Sequence, residues 1–149
     1  MSRATSKTRD FAERLIAYEA SRNGSSQTTA PLGFVLAAKL RTHLAPLMGG
    51  IGFHTLLARA LALSGGEVAW LRAVHVKADG AFEGLGDVEA QVSPEAFAEG
   101  GVVLLAQLLG LLVTFIGEDL TLRFVRDVWP KLSLDDVDLG SGVSIEKAQ

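Results

Sequence analysis

The residue types that carry most catalytic and metal chemistry are scarce in this chain of 149 residues, which has no cysteine and three histidines. The missing thiols exclude a disulfide framework, an iron–sulfur cluster, a thiolate zinc site and a cysteine nucleophile. His43, His54 and His75 form no i, i+4 pair, so no helix face carries two of them at the spacing that binds zinc. We therefore predict neither a metal site nor a cofactor.

Motifs for nucleophilic or phosphate chemistry are also weak. The chain has no G-x-S-x-G nucleophile elbow, and the GGIG sequence at residues 49–52 lacks the Lys-Ser/Thr end of a phosphate-binding loop. Pro46 and these glycines are more typical of a break between two helices. Asp119, Arg123 and Asp127 lie four residues apart, which favours ion pairs along one solvated helix face. We predict that the protein is not an enzyme and has no catalytic residues.

The composition suits one soluble domain. Hydrophobic residues make up 48% of the chain and charged residues 21%, and the net charge is −3 with a pI near 5.6. A nucleic-acid binder normally presents a basic face, so nucleic acid is disfavoured as a partner. Every charged residue from Asp79 to Glu99 is acidic. The N-terminal sequence MSRATSKTRDFAERL lacks the apolar stretch of a secretory signal, so we expect a cytoplasmic protein.

The spacing of apolar residues predicts the fold. They recur every three to four positions through residues 10–138, which indicates an all-α, single-domain bundle of about five to six helices. Residues 1–9 and 139–149 are expected to be disordered tails. Capping patterns predict three helix starts, which are Asp10 with Glu13, Ser64 with Glu67, and Ser93 with Pro94.

Residues 74–83 allow two interpretations. The sequence Val-His-Val-Lys-Ala from residue 74 alternates like a strand, and Asp79-Gly80 is typical of a hairpin turn before Ala-Phe-Glu. A lone hairpin in a helical chain is marginally stable and would have to lean on the bundle. We favour a helix that frays into a loop and keep a short hairpin as the alternative.

The predicted central helix covers residues 95–117. Its segment GGVVLLAQLLGLLVTFIG, residues 100–117, has no charge, and all-round hydrophobicity in a soluble chain indicates a helix buried on every side. A membrane span is the less favoured alternative, because the segment reaches the needed length only by including Gln107, Thr114 and its glycines. Buried Gln107 would need a hydrogen-bond partner.

Small residues form a seam on this helix. The seam residues are spaced by three and four, and they are Gly100, Val103, Gln107, Gly110, Thr114, Gly117 and Thr121. Such a seam permits close approach of another helix, within the fold or between two copies, and we favour the former. Our candidate interaction residues are Gly110, Thr114 and Gly117 on the seam, with Phe124 and Trp129 on the amphipathic 118–129 face as an alternative homodimer surface.

Two stretches of the chain resemble a family of short bacterial all-helical proteins to which no activity is attached. They are LRTHLAPLMGGIGFHTLLARALALSGGEVAWLRAVHVKADG and VVLLAQLLGLLVTFIGEDLTLRFVRDVWP, and the resemblance covers about residues 35–132. It implies a bacterial, cytoplasmic protein and transfers no site residues.

A second resemblance is architectural. A hydrophobic central helix wrapped by amphipathic helices is similar to the Bcl-2 fold, and Phe82, Gly86 and Asp87 match the apolar-x-x-x-Gly-Asp core of that family's BH3 segment. The chain departs from the family in having no Asn-Trp-Gly-Arg motif and no C-terminal anchor, and glycines 80, 84 and 86 would weaken a helix there. Similarity of fold carries no function by itself.

These observations favour a non-enzymatic helical module for protein interaction or regulation in a bacterial cytoplasmic system. Its partner would be another protein or a second copy of the chain. A bundle that binds an apolar ligand or a membrane is the alternative. A small enzyme with a site assembled from His54, Arg59 and Glu118 comes last, because nothing in their spacing brings them together.

Overall fold

Helices account for almost all of the regular structure. The computed structural model describes residues 6–23, 32–78 and 81–132. Within them lie six α-helices, a 3-10 turn at Ala69–Ala73 and two two-residue strands, β1 (His75–Val76) and β2 (Phe82–Glu83). The helices are α1 (Ser6–Asn23), α2 (Leu32–Met48), α3 (Gly50–Gly65), α4 (Leu85–Gln91), α5 (Pro94–Ile116) and α6 (Glu118–Val128). The predicted all-α bundle of five to six helices around a central one is confirmed.

Helix α5 is the centre of the bundle, and α1, α2, α3 and α6 all pack against it. Its leucines at positions 104, 105, 108 and 109 are completely buried. By length and composition alone α5 would pass for a membrane-crossing helix, although 56% of its most apolar 18-residue window is buried inside the fold. The leucine-rich circumference is therefore largely covered by the chain's own helices.

Local signals explain both ends of α5. The Ser93 hydroxyl accepts a hydrogen bond from the Ala96 N–H at 3.1 Å, and Pro94 occupies the first turn, as the capping pattern predicted. At the other end Gly117 adopts a φ of 87°, which a residue with a Cβ rarely adopts. Gly49 has a φ of 82° and separates α2 from α3 in the same way, three residues after Pro46.

Helices α2 and α5 approach each other most closely at Gly33 and Gly101. A Cβ built on Gly33 would overlap the backbone carbonyl of Gly101, and one built on Gly101 would lie 3.1 Å from the Gly33 Cα. The spacing of the seam residues predicted a close crossing along the seam instead. That location is wrong at Gly110, where a Cβ would meet only Thr8 Cγ2 at an ordinary 3.9 Å.

The first helix begins earlier than its capping pattern predicted. Residues 6–9 belong to α1, so the expected tail over residues 1–9 is too long and Asp10 lies inside the helix. The cause is tertiary, because Thr8 is buried and the Arg9 guanidinium donates to the Glu99 carboxylate of α5. Arg9 also lies 3.4 Å from Glu13 on its own helix.

Ser64 does not start a fourth helix as predicted. It lies inside α3, where its buried hydroxyl donates to the Ala60 carbonyl at 2.7 Å. The chain beyond Gly65 forms only the short 3-10 turn before β1. The Ser64 hydroxyl therefore bonds within α3 and does not cap a following helix.

The hairpin alternative for residues 74–83 is correct, and the favoured interpretation of a fraying helix is wrong. Strands β1 and β2 pair antiparallel, with Val76 opposite Phe82. The hairpin leans on the bundle, because the Phe82 ring packs edge-on against Phe34 at 5.5 Å and His54 Nε2–H donates to the Val76 carbonyl at 3.2 Å. The predicted turn at residues 79–80 and the predicted tail at residues 139–149 lie outside the described residues.

The crossing of α2 and α5 generates a stability prediction. Gly33→Ala should lower the free energy of unfolding by about 1–3 kcal/mol, because an added methyl forces the two backbones apart. Gly86→Ala is the matched control, since no heavy atom lies within 4 Å of its Cβ position. Urea denaturation followed by circular dichroism measures both. Equal midpoints for the two variants would contradict the tight crossing.

Candidate functional site

The connection between α2 and α3 holds large apolar side chains in solvent. We call residues 46–52 the α2–α3 corner. Within it Leu47 is 54% exposed and Ile51 is 85% exposed, whereas Phe53, one residue beyond, is completely buried. Single exposed apolar residues are ordinary, but here two of them lie four positions apart at one corner.

Backbone hydrogen bonds hold the corner in place. The Gly49 N–H donates to the Ala45 carbonyl at 2.7 Å, and the Phe53 N–H donates to the Gly49 carbonyl at 3.0 Å. The Thr55 hydroxyl adds a bond to the Ile51 carbonyl at 3.0 Å. Both apolar side chains thus stand on helix ends, and their exposure follows from the path of the backbone.

The two helices that carry the corner have cationic side chains and no acidic ones. The charged residues between Leu32 and Gly65 are Lys39, Arg41 and Arg59. Lys39 pairs with Glu19 of α1. Neither arginine forms an ion pair with any carboxylate among the residues that the structure describes. The corner is therefore an apolar patch on a positively charged helix pair.

The opposite charge is concentrated in the segment 81–99. Its charged residues are all acidic and all exposed, and they are Glu83, Asp87, Glu89, Glu95 and Glu99. Glu99 pairs with Arg9, and this hydrogen bond raises the pKa of the Arg9 guanidinium. Helices α2 and α3 and the segment 81–99 thus carry charges of opposite sign.

The seam on α5 does not behave as one surface. Its N-terminal part is covered by the connection after α3, because the Trp70 ring lies on Gly100 and stacks on Phe97 at 5.6 Å. Further along, Gln107 donates to the Glu67 carboxylate at 2.8 Å, which confirms that this amide needed a partner.

The C-terminal part of the seam holds three predicted interaction residues in different surroundings. Gly110 is half-buried under α1, Gly117 is half-buried at the break between α5 and α6, and Thr114 is exposed. The Thr114 hydroxyl donates to the Gly110 carbonyl at 3.0 Å, so it is satisfied by its own helix. Beside them Phe115 is 64% exposed, so this end of α5 also holds a large apolar side chain in solvent.

The predicted α6 surface needs one correction. Phe124 is half-buried, but Trp129 is completely buried and cannot be a surface residue. Its indole N–H donates to Glu19 Oε1 at 3.0 Å, and the Lys39 ammonium donates to Glu19 Oε2. Glu19 is only 3% exposed, so this carboxylate joins α1, α2 and the end of α6 inside the fold.

Sequence reasoning missed both Glu19 and the corner. Glu19 continues the i, i+4 series of Phe11 and Leu15, and this register could have marked it as buried. Leu47 follows Leu40 and Leu44 at helical spacing, so the apolar repeat alone does not mark it as exposed. Ile51 stands alone between glycines, and this isolation from any apolar stripe was the available signal.

The polar residues considered for catalysis do not share a common site contact. His54 binds the Val76 carbonyl, while Arg59 is exposed on α3. Asp119, Arg123 and Asp127 are all exposed on α6. Within residues 6–23, 32–78 and 81–132, no group of three or more His, Asp or Glu side chains could hold a metal ion.

The buried carboxylate generates a second prediction. Trp129→Phe should lower the free energy of unfolding by about 1–3 kcal/mol, because it removes a donor from a buried acceptor. Trp70→Phe is the control, since the Trp70 indole N–H has no hydrogen-bond partner among the described residues. Chemical denaturation of both variants checks this. A larger loss in Trp70→Phe than in Trp129→Phe would show that the bond to Glu19 is unimportant.

Comparison of the chain with protein-family models, curated proteins and solved structures found no match. The resemblances to a family of short bacterial helical proteins and to the Bcl-2 fold therefore stay predictions. For the latter, Phe82 lies in β2 while Gly86 and Asp87 lie in α4, so the three residues do not share one helix. Any functional conclusion has to come from the surface itself.

Proposed function

We propose that this chain is a non-enzymatic protein-interaction or regulatory module of a bacterial cytoplasmic system, and that it binds its partner protein through the α2–α3 corner. The observation that carries the proposal is the exposure of Ile51, at 85%, beside Leu47, at 54%, on helix ends held by hydrogen bonds. The fold makes no use of these two side chains in its core.

The corner is energetically suited to anchoring a complex. Moving a fully exposed leucine or isoleucine into a partner's pocket contributes about 1.5–3 kcal/mol per side chain. A rigid helix end loses little conformational entropy on binding, so most of this free energy is retained. A few side chains that become fully buried at the centre of an interface typically carry most of its affinity.

The charges around the corner indicate the chemistry of the partner. Arg41 and Arg59 lack carboxylate partners among the described residues, and α2 and α3 have no acidic residue. A complementary partner face is therefore apolar at its centre and acidic at its rim. Charge complementarity of this type raises the association rate and selects among partners more than it raises affinity.

The same corner is the specific feature that favours the alternative, binding to an anionic membrane surface. An apolar tip flanked by cations also suits the interface of a bilayer that contains acidic lipids. The acidic segment 81–99 would oppose such a surface if it faced the same side. A partner protein can match both charges, and we favour it for that reason.

Site-specific photocrosslinking tests the proposal. A photoreactive amino acid at position 47 or 51 should yield the same single protein adduct in cells, because both side chains lie at the interface. Position 35 is the control, since Val35 is exposed on α2 outside the corner. Mass spectrometry then identifies the adduct. Indistinguishable adducts from positions 35, 47 and 51 would contradict the proposal.

A serine substitution separates binding from folding. With the photoreactive amino acid at position 51, Leu47→Ser should weaken the adduct. The Leu47→Ser, Ile51→Ser double variant without the photoreactive residue should change the free energy of unfolding by no more than about 0.5 kcal/mol, as for other surface sites. Sedimentation with vesicles containing acidic phospholipid tests the alternative. Vesicle binding that depends on Ile51, without a protein adduct, would replace the partner protein by a membrane. A robust catalytic activity in a broad substrate screen would overturn the non-enzymatic assignment.

A further inference from the structure

A groove lies between α3 and the chain segment that returns along it. Its volume is about 390 Å³, which is near the lower end of the range for small-molecule sites. Its lining comes from α3, from the 3-10 turn and from the start of the hairpin, and consists of Ala58, Leu61, Ala62, Leu71, Arg72, Val74, His75 and Val76. These residues are separate from the α2–α3 corner.

The floor of the groove is aliphatic. Leu61, Leu71 and Val74 are buried beneath it. Ala58 and Ala62 stand four residues apart on α3 and are exposed, so their small side chains leave the space open. The lining contains no Phe, Tyr or Trp and no acid, which suits a short aliphatic chain.

One edge of the groove has cationic character. Arg72 is exposed, and no carboxylate among the described residues pairs with it. Its alkyl stem packs on Gly65, where a Cβ would lie 2.9 Å from the Arg72 Cγ. Glycine at this position thus makes room for the stem and helps to direct the guanidinium. His75 is the second polar side chain of the lining and is also exposed.

The walls are already formed without a ligand. The Val74 N–H donates to the Leu71 carbonyl at 3.0 Å, and β1 is paired with β2. His54 of α3 fixes the far end through its bond to the Val76 carbonyl at 3.2 Å. A pre-formed groove costs little to order when a ligand binds.

We infer that this groove binds a small aliphatic carboxylate, with the hydrocarbon chain against the exposed alanines at positions 58 and 62 and the carboxylate on Arg72. The planar guanidinium accommodates a carboxylate through two parallel hydrogen bonds, and no carboxylate among the described residues forms an ion pair with it. This site goes beyond the proposed docking function and does not depend on it. Partner binding at the corner and carboxylate binding in the groove are tested by separate experiments, so the failure of one does not decide the other.

Isothermal titration calorimetry with octanoate tests the site. The wild-type protein should bind octanoate at least about tenfold more tightly than octan-1-ol, because a hydrogen bond to a charged group contributes that much. Arg72→Gln should remove this preference. Arg123→Gln is the matched control, since Arg123 is exposed on α6 and does not line the groove.

A filling substitution locates the binding. Ala62→Leu should weaken octanoate binding by about tenfold or more, because the added side chain occupies the groove. Ala38→Leu, at an exposed alanine of α2, should leave it unchanged. Circular dichroism confirms that each variant is folded, and amide chemical shifts of the wild-type protein report which residues octanoate perturbs.

The outcomes decide the inference in either direction. Preference for octanoate that disappears in Arg72→Gln, with shifts centred on residues 58–76, supports it. Equal affinity for octanoate and octan-1-ol overturns the role of Arg72. Undiminished binding in Ala62→Leu, or no binding to the wild-type protein, overturns the site.

Discussion

The uncharged surface of α5 must be removed from water on nearly every side, and this requirement determines where the other helices lie. Between Gly100 and Gly117 the helix has no charged residue, and α1, α2, α3 and α6 all pack on it. Each Å² of apolar surface withdrawn from water contributes roughly 25 cal/mol, so covering such a helix is the main driving force available to the bundle. Phe115, in its last turn, is the large apolar side chain of α5 that stays exposed.

Covering α5 also brings polar groups inside, and each one that the structure describes is paired. Gln107 donates a hydrogen bond to Glu67, and Glu19 accepts hydrogen bonds from both Trp129 and Lys39. No buried side-chain nitrogen or oxygen in the described residues lacks a hydrogen-bond partner. Hydrophobic burial is non-directional, whereas these bonds have defined geometry. They therefore select one arrangement of α1, α2 and α6 among those that would cover the leucines equally well.

Local patterns were sufficient to predict the all-α bundle and the N-cap at Ser93, because spacing and capping depend on neighbours in sequence. The start of α1 and the hairpin depend on contacts with distant residues, through Arg9 and Phe82, which no local pattern contains. The same dependence on distant contacts explains why Trp129 was wrongly predicted to lie on the surface. Trp129 resembled a surface residue on an amphipathic stretch, but a glutamate on another helix pairs with it. The exposure of Ile51 follows from the geometry of a helix corner, which appears only in three dimensions.

The contact between Gly33 and Gly101 also limits how the chain can evolve. Where a large side chain packs on a small one, a mutation on one side can be compensated by a reciprocal change of size on the other. At this crossing both partners already have no side chain, and backbone meets backbone. A substitution at either glycine has no compensating partner across the contact and can be relieved only by moving a helix. The pair should therefore change more slowly over evolutionary time than the leucines around it, whose volumes can be exchanged with one another.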